Sequence, residues 1–95
     1  MRSRSALVWT IELTNTATRQ LAKLDKAVAK RLRKFLQHRV APLEDPRNIG
    51  RKLHGETLAE FWRYRVGDYR IIAKIEDDKL IVLVIEIGHR RDVYR

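Results

Sequence analysis

Phe61-Trp62-Arg63-Tyr64-Arg65-Val66-Gly67-Asp68-Tyr69-Arg70-Ile71-Ile72 alternates, turns at Gly67-Asp68, and alternates again. That is the signal of a two-residue β-hairpin, with glycine supplying the positive φ of the tight turn. A turn of this length sets the register, so Val66 faces Tyr69 and Arg65 faces Arg70. Cross-strand partners point to the same side of a sheet. Trp62, Tyr64, Val66, Tyr69 and Ile71 therefore share one face, and Arg63, Arg65 and Arg70 share the other. Like charges directly opposite one another repel, at roughly a few tenths to one kcal/mol, and an anion such as a phosphate lying between them would relieve the cost. Arginines on an open sheet face are also common, and paired with Glu60 or Asp68 they would make only a solvated edge.

Downstream of the hairpin, a second turn at Asp77-Asp78 leads into Lys79 to Gly88, a strand that is apolar on both faces. Leu80, Val82 and Val84 lie on one side and Ile81, Leu83, Ile85 and Ile87 on the other, as in a strand that is central and covered on both sides. If Glu76 faces Lys79, Gly88 comes level with Gly67, and His89, Arg90, Arg91 and Tyr94 are delivered to the arginine cluster. The same register points Glu86 toward the helices, where it needs a partner unless the register is off by one.

Upstream, Leu7, Trp9, Ile11 and Leu13 alternate with Val8, Thr10 and Glu12 and predict a strand over residues 6–13 with one buried face. Thr14-Asn15-Thr16 can cap a short helix carrying Ala17, Leu21 and Leu24 on one stripe, and Asp25 can cap a second. From Lys26 to about Val40, Val28, Leu32, Phe35, Leu36 and Val40 form an apolar stripe, with Lys26, Lys30, Arg33 and Lys34 opposite. That basic face is either solvated or rides on a nucleic-acid backbone. Residues 41–55, with Pro42, Pro46, Gly50 and Gly55, read as a long loop with one helical turn, longer than a compact domain usually leaves unstructured. The expected architecture is α+β: one small domain over residues 1–95, in the order β-α-α-β-β-β, with a helical hairpin packed on one face of a mainly antiparallel four-stranded sheet. The place of the first strand in that sheet is left open.

Ninety-five residues with 21 Lys+Arg against 12 Asp+Glu carry a net charge of +9, which points to a polyanionic partner: nucleic acid, or an acidic protein that neutralises the surface. Residues 1–50 hold eleven basic and four acidic groups, residues 51–95 ten and eight, so the stronger field comes from the first half. Cysteine is absent, which excludes disulfides and thiolate metal sites. His38, His54 and His89 have no metal-ligand spacing, there is no glycine-rich phosphate loop, and neither metal nor cofactor is expected. His54 before Gly55 reads as structural. The apolar run after Met1-Arg2-Ser3-Arg4-Ser5 is too short for export, and Leu80 to Ile85 is too short to span a membrane. A soluble, cytoplasmic protein is expected.

The element order, together with Leu53-His54-Gly55, Arg63-Tyr64-Arg65-Val66-Gly67-Asp68-Tyr69-Arg70 and Gly88-His89-Arg90-Arg91-Asp92-Val93-Tyr94, resembles the RelE/ParE superfamily of toxin–antitoxin toxins, and of its branches most closely RelE. The resemblance implies a metal-independent endoribonuclease that cuts messenger RNA at the ribosome, and an acidic antitoxin as partner in a hetero-oligomer. By position, Arg63 and Arg65 stand where that family often has lysines, Arg70 and Arg90 match arginines of its cleft, and Tyr94 matches a tyrosine that stacks on or orients the substrate. Two departures are visible: arginine in place of lysine at two cleft positions, and an end at Arg95 with no helix after the tyrosine. A ParE-like inhibitor of DNA gyrase, or a non-catalytic nucleic-acid-binding or interaction module, is the alternative.

Cutting RNA without a metal uses the 2′-hydroxyl as nucleophile, and it needs charge stabilisation at phosphorus and help in moving two protons. Arg65, Arg70 and Arg90 can bind phosphate oxygens through paired hydrogen bonds, but guanidinium stays protonated and is a poor base. His89 is the nearby side chain with an ordinary pKa near neutrality, read either as a proton-transfer group or as an exposed tail residue. Tyr94 would stack on or orient the substrate. Arg63, Arg91, Lys26, Lys30, Arg33 and Lys34 complete the candidate RNA-binding set.

Overall fold

The structure, a computed structural model, describes residues 8–53 and 60–89. Strand β1 (Thr10–Leu13) leads into helix α1 (Asn15–Ala22) and helix α2 (Lys26–Lys34), whose last turns widen to π geometry over Phe35–Val40. A 3-10 turn (Pro46–Ile49) and the short strand β2 (Arg51–Lys52) come next, then β3 (Phe61–Val66), β4 (Tyr69–Glu76), a second 3-10 turn (Asp77–Lys79) and β5 (Ile81–His89). The sheet order is β1-β5-β4-β3-β2, with β1 parallel to β5 and the other pairs antiparallel. Five strands replace the four expected, because the long loop contributes β2 against Trp62 and Arg63. The α+β architecture, a helical hairpin on one face of a mainly antiparallel sheet, is otherwise as read from the sequence.

Caps place both helices as their sequences dictate. The Thr14 hydroxyl accepts a hydrogen bond from the Ala17 amide at 3.1 Å, and the Asp25 carboxylate accepts one from the Ala27 amide at 3.1 Å, each satisfying a donor that the first turn leaves unpaired. Ala17, Leu21, Ala29, Leu32, Leu36 and Val40 then bury against Tyr64, Val66, Ile71, Ala73, Val82 and Val84. Tyr64, with no exposed surface, is the anchor: it meets Phe35 edge to face at 6.0 Å, and its hydroxyl donates to the Pro46 carbonyl at 2.7 Å. Gly50 makes this seat possible, since a Cβ there would lie 2.9 Å from the Tyr64 ring. Trp62, expected beneath the helices beside Tyr64, is only half-buried, at the rim of the core.

The hairpin register is as expected, Val66 against Tyr69 and Arg65 against Arg70, with Gly67 at φ 60°. The next register is not. Glu76 pairs with Ile81 rather than Lys79, because the connection winds through a 3-10 turn and ends on Leu80 in the left-handed region at φ 55°. The register then slips again: Ala73 pairs with Val84 but Ile72 pairs with Glu86, so Ile85 is the extra residue of a β-bulge. Gly88 consequently faces Arg70 instead of lying level with Gly67. The bulge reverses the alternation after it. Ile87 enters the core, and Glu86 turns to the open face with Arg63, Arg65 and Arg70 rather than toward the helices. β1 pairs with β5 only as far as Val84. Beyond it, the Thr14 hydroxyl donates to the Ile85 carbonyl at 3.1 Å, and the Gln20 side-chain oxygen accepts from the Ile87 amide at 2.6 Å.

Candidate nucleic-acid interface

The open face of the sheet gathers arginines because β2, β3 and β4 each direct one set of alternate residues that way. Arg51 lies opposite Arg63, and Arg65 opposite Arg70, so two rows of like charge run across the strands. Ile49, Arg51, Arg63 and Arg65 border a depression of about 350 Å³. Arg70 is 8 % exposed, set beside Gly88, whose missing side chain leaves the neighbouring position on β5 open. Arg65 is exposed. Ion pairs among the described residues include those of Arg47 with Asp45 and Asp77, and of Lys74 with Glu60. Neither Glu60 nor Asp68 is paired with Arg65.

Of the other candidates, His89 is at the end of β5, paired with Tyr69 and in edge-to-face contact with its ring at 5.6 Å. Tyr69 belongs to the helix-side face, so this histidine stands across the sheet from Arg65 and Arg70 instead of joining them. Lys26, Lys30, Arg33 and Lys34 are exposed on α2, and two of them border different hollows. Lys34 borders a hollow beside the hairpin, whereas Arg33 borders an apolar groove of about 370 Å³ with Ile11, Leu13, Leu21 and Leu36. His54, Arg90, Arg91 and Tyr94 lie outside the described residues.

Sequence reasoning missed Arg51, because the strand that carries it is two residues long, and it missed the side of the sheet on which Glu86 emerges. Arg47 was missed as well. Its guanidinium binds Asp77 at 2.6 and 3.1 Å and Asp45 at 3.1 Å, and lies 5.9 Å from the centre of the Trp62 ring. These contacts order the loop. The hydrogen bond to Asp77 holds the Arg47 pKa up and the Asp77 carboxyl pKa down. Burial pushes the Tyr64 hydroxyl up, which fits a fixed core donor rather than an acid–base group. Among the described residues there is no cluster of three or more His, Cys, Asp or Glu able to hold a metal ion, and no helix is long and apolar enough to cross a membrane.

The family described as the ParE toxin of the type II toxin–antitoxin system parDE matches residues 11–94. The chain belongs to the RelE/ParE family of toxins. Relatives within this family include toxin RelG of Mycobacterium tuberculosis, 31% identical over 92% of this chain and 97% of the relative. The mRNA interferase toxin RelE of Escherichia coli is 30% identical over 88% of this chain and 85% of its own. Among solved structures, the toxin–antitoxin complex RelBE2 of M. tuberculosis superposes with a TM-score of 0.80 at 29% identity, covering 90% of this chain and 95% of that one. The intact E. coli RelBE complex gives 0.68 at 28% identity, covering 85% and 95%. RelE/ParE toxins thus share the helical hairpin and meander that bring Arg63, Arg65 and Arg70 onto one face here.

Proposed function

We propose that the chain is a RelE-like toxin that cleaves messenger RNA on the ribosome in the cytoplasm and is held inactive by a cognate acidic antitoxin. The observation that carries this reading is the open sheet face, where Arg65 and Arg70 are directly opposed and Arg51 and Arg63 add a second cationic row. Such a concentration of guanidinium groups suits a phosphodiester, whose oxygens each guanidinium can bind through paired hydrogen bonds. Relatives named as mRNA interferases, and neighbours solved as complexes with antitoxins, support the substrate class and the partner.

In the proposed reaction the 2′-hydroxyl attacks the adjacent phosphorus. The bond to the 5′-oxygen breaks, and the products carry a 2′,3′-cyclic phosphate and a 5′-hydroxyl. Arg65, Arg70 and Arg90 stabilise charge on the phosphorane oxygens, and Tyr94 orients the substrate. His89 is left out of the chemistry, since its ring lies against Tyr69 on the far face. Glu86 is the carboxylate that the bulge sets on the arginine side.

The test is cleavage of a ribosome-bound message with the 2′-hydroxyl present or replaced by hydrogen at the scissile nucleotide. The deoxy substrate should bind and remain uncut, and Arg70→Ala should slow cleavage of the normal substrate by roughly two to three orders of magnitude, the scale for loss of one preorganised charge donor. Because Arg70 is buried, Arg70→Lys, which keeps the charge but not the fork, serves as the check on folding. Undiminished cutting of the deoxy substrate would exclude the mechanism. Gyrase-linked DNA breaks on induction, without cut messages, would instead support the ParE-like alternative.

A further inference from the structure

Two hollows meet at Arg65. One is the open-face depression already described; the other, of about 450 Å³, lies around the edge of β3 and is bordered by Arg31, Lys34, His38, Arg39, Arg65 and Gly67. β2 pairs with β3 only at Trp62 and Arg63, so among the described residues no strand separates the two hollows at Arg65 and Val66. Helix α2 and its π-helical extension supply the far wall, since residues 31, 34, 35 and 38 recur at helical spacing on one side. Gly67 has a second use beyond the turn. A Cβ there would stand 3.0 Å from Nη1 of Arg31, so the bare glycine leaves a seat for that guanidinium beside the hairpin. Among the described residues no carboxylate comes within ion-pair distance of Arg31, Lys34, Arg39 or Arg65.

We infer that this second hollow is a binding site for single-stranded RNA, receiving the phosphodiester backbone of the strand that crosses the open face and continues over Arg65 onto α2. The inference rests on the RNA-cleaving reading and extends it from the cut phosphate to the flanking nucleotides. Cations spaced around a curved hollow match a chain of regularly repeated phosphates, and Phe35 at the wall offers a ring edge to a base. An amphipathic protein segment would need a continuous apolar seat. That kind of surface is found elsewhere, in the groove of Ile11, Leu13, Leu21 and Leu36.

The experiment is a salt titration of binding by fluorescence anisotropy, with 2′-O-methyl oligoribonucleotides of about 4 and about 12 nucleotides that bind without being cut. Each phosphate contact on a single strand contributes about 0.7 to the slope of log K against log salt. The double variant Arg31→Ala with Arg39→Ala, both exposed positions, should therefore lower the slope for the long oligonucleotide by about 1.4, and by less than half as much for the short one. Arg63→Ala should lower both slopes. If Arg63→Ala lowers both and the double variant lowers neither, the open-face reading stands and the second hollow does not bind RNA. If the double variant instead weakens only the complex with the co-expressed antitoxin, the hollow is a protein contact and the inference is overturned. If none of the variants changes either slope, both readings fall.

Discussion

On the helix side of the β3–β4 hairpin, Tyr64, Val66 and Ile71 are buried against α2, whereas one residue along the same strands Arg63 and Arg65 lie at the open face. Both sets come from twelve consecutive residues, separated only by the two-residue period of a strand. The core side is fixed by contact with many neighbours. On the arginine side, Arg65 is exposed and takes its position from its attachment to that core. A site built this way takes its precision from residues that never touch substrate, and the two faces should respond in opposite ways to truncation. Tyr64→Ala should cost about 3 to 5 kcal/mol, the range for removing a buried aromatic, while Arg65→Ala should change stability by no more than about 0.5 kcal/mol. Urea denaturation midpoints test this directly, and the reverse order would mean that the two faces have been exchanged.

A smaller effect sharpens the comparison on β5, where the bulge decides which face a residue joins. The Ile87 amide lies past the end of β1 and is satisfied by the Gln20 side chain at 2.6 Å. Gln20→Leu removes that acceptor and should cost about 1 to 3 kcal/mol, the penalty for leaving a buried donor unpaired. Hydrogen exchange provides the local reading: the Ile87 amide should lose protection more than the neighbouring Val84 amide. Uniform loss along β5 would show that Gln20 acts through general packing and not at the bulge.

The bulge also marks where the sequence stops being readable. Alternation from Phe61 to Ile72, caps at Thr14 and Asp25, and the stripe from Val28 to Val40 are local signals, and each led to the element now seen. Val82 and Val84 were placed on the correct side by the same alternation. Ile87 and Glu86 were not, because Ile85 is as good a strand residue as its neighbours and nothing in its chemistry announces an extra position. The four-residue connection Asp77 to Leu80 was misread for a related reason, since a leucine at positive φ is a conformation the sequence does not favour. Arg51 and Arg47 were invisible as site or staple because their partners, Arg63, Asp77 and Trp62, are remote in sequence. His89 was assigned to the arginines on a register that slipped, and the slip moved it across the sheet.

The smallest expected effect concerns the far end of the hairpin, where a surface ion pair does what the core does near Tyr64. Arg47 binds both Asp77 oxygens and lies beside Trp62, joining the loop before β2 to the turn between β4 and β5. The hydrogen bond from Arg47 lowers the Asp77 pKa below its ordinary carboxylate value. A carboxylate whose folded pKa is depressed contributes stability that is fully present above its unfolded pKa, near 4, and is lost as pH falls through the lower folded value. Asp77→Asn should therefore be less stable than the parent at neutral pH by a small, constant margin down to about pH 5. Below about pH 4 the margin should shrink and then close as the parent's own carboxyl protonates. High salt should narrow it at neutral pH too, because the pair is solvent-exposed and screened. Thermal midpoints of parent and variant across this range are the measurement. A gap that persisted undiminished into strong acid would show that the asparagine disturbs the 3-10 turn itself, and that this end of the hairpin is held by backbone geometry and not by charge.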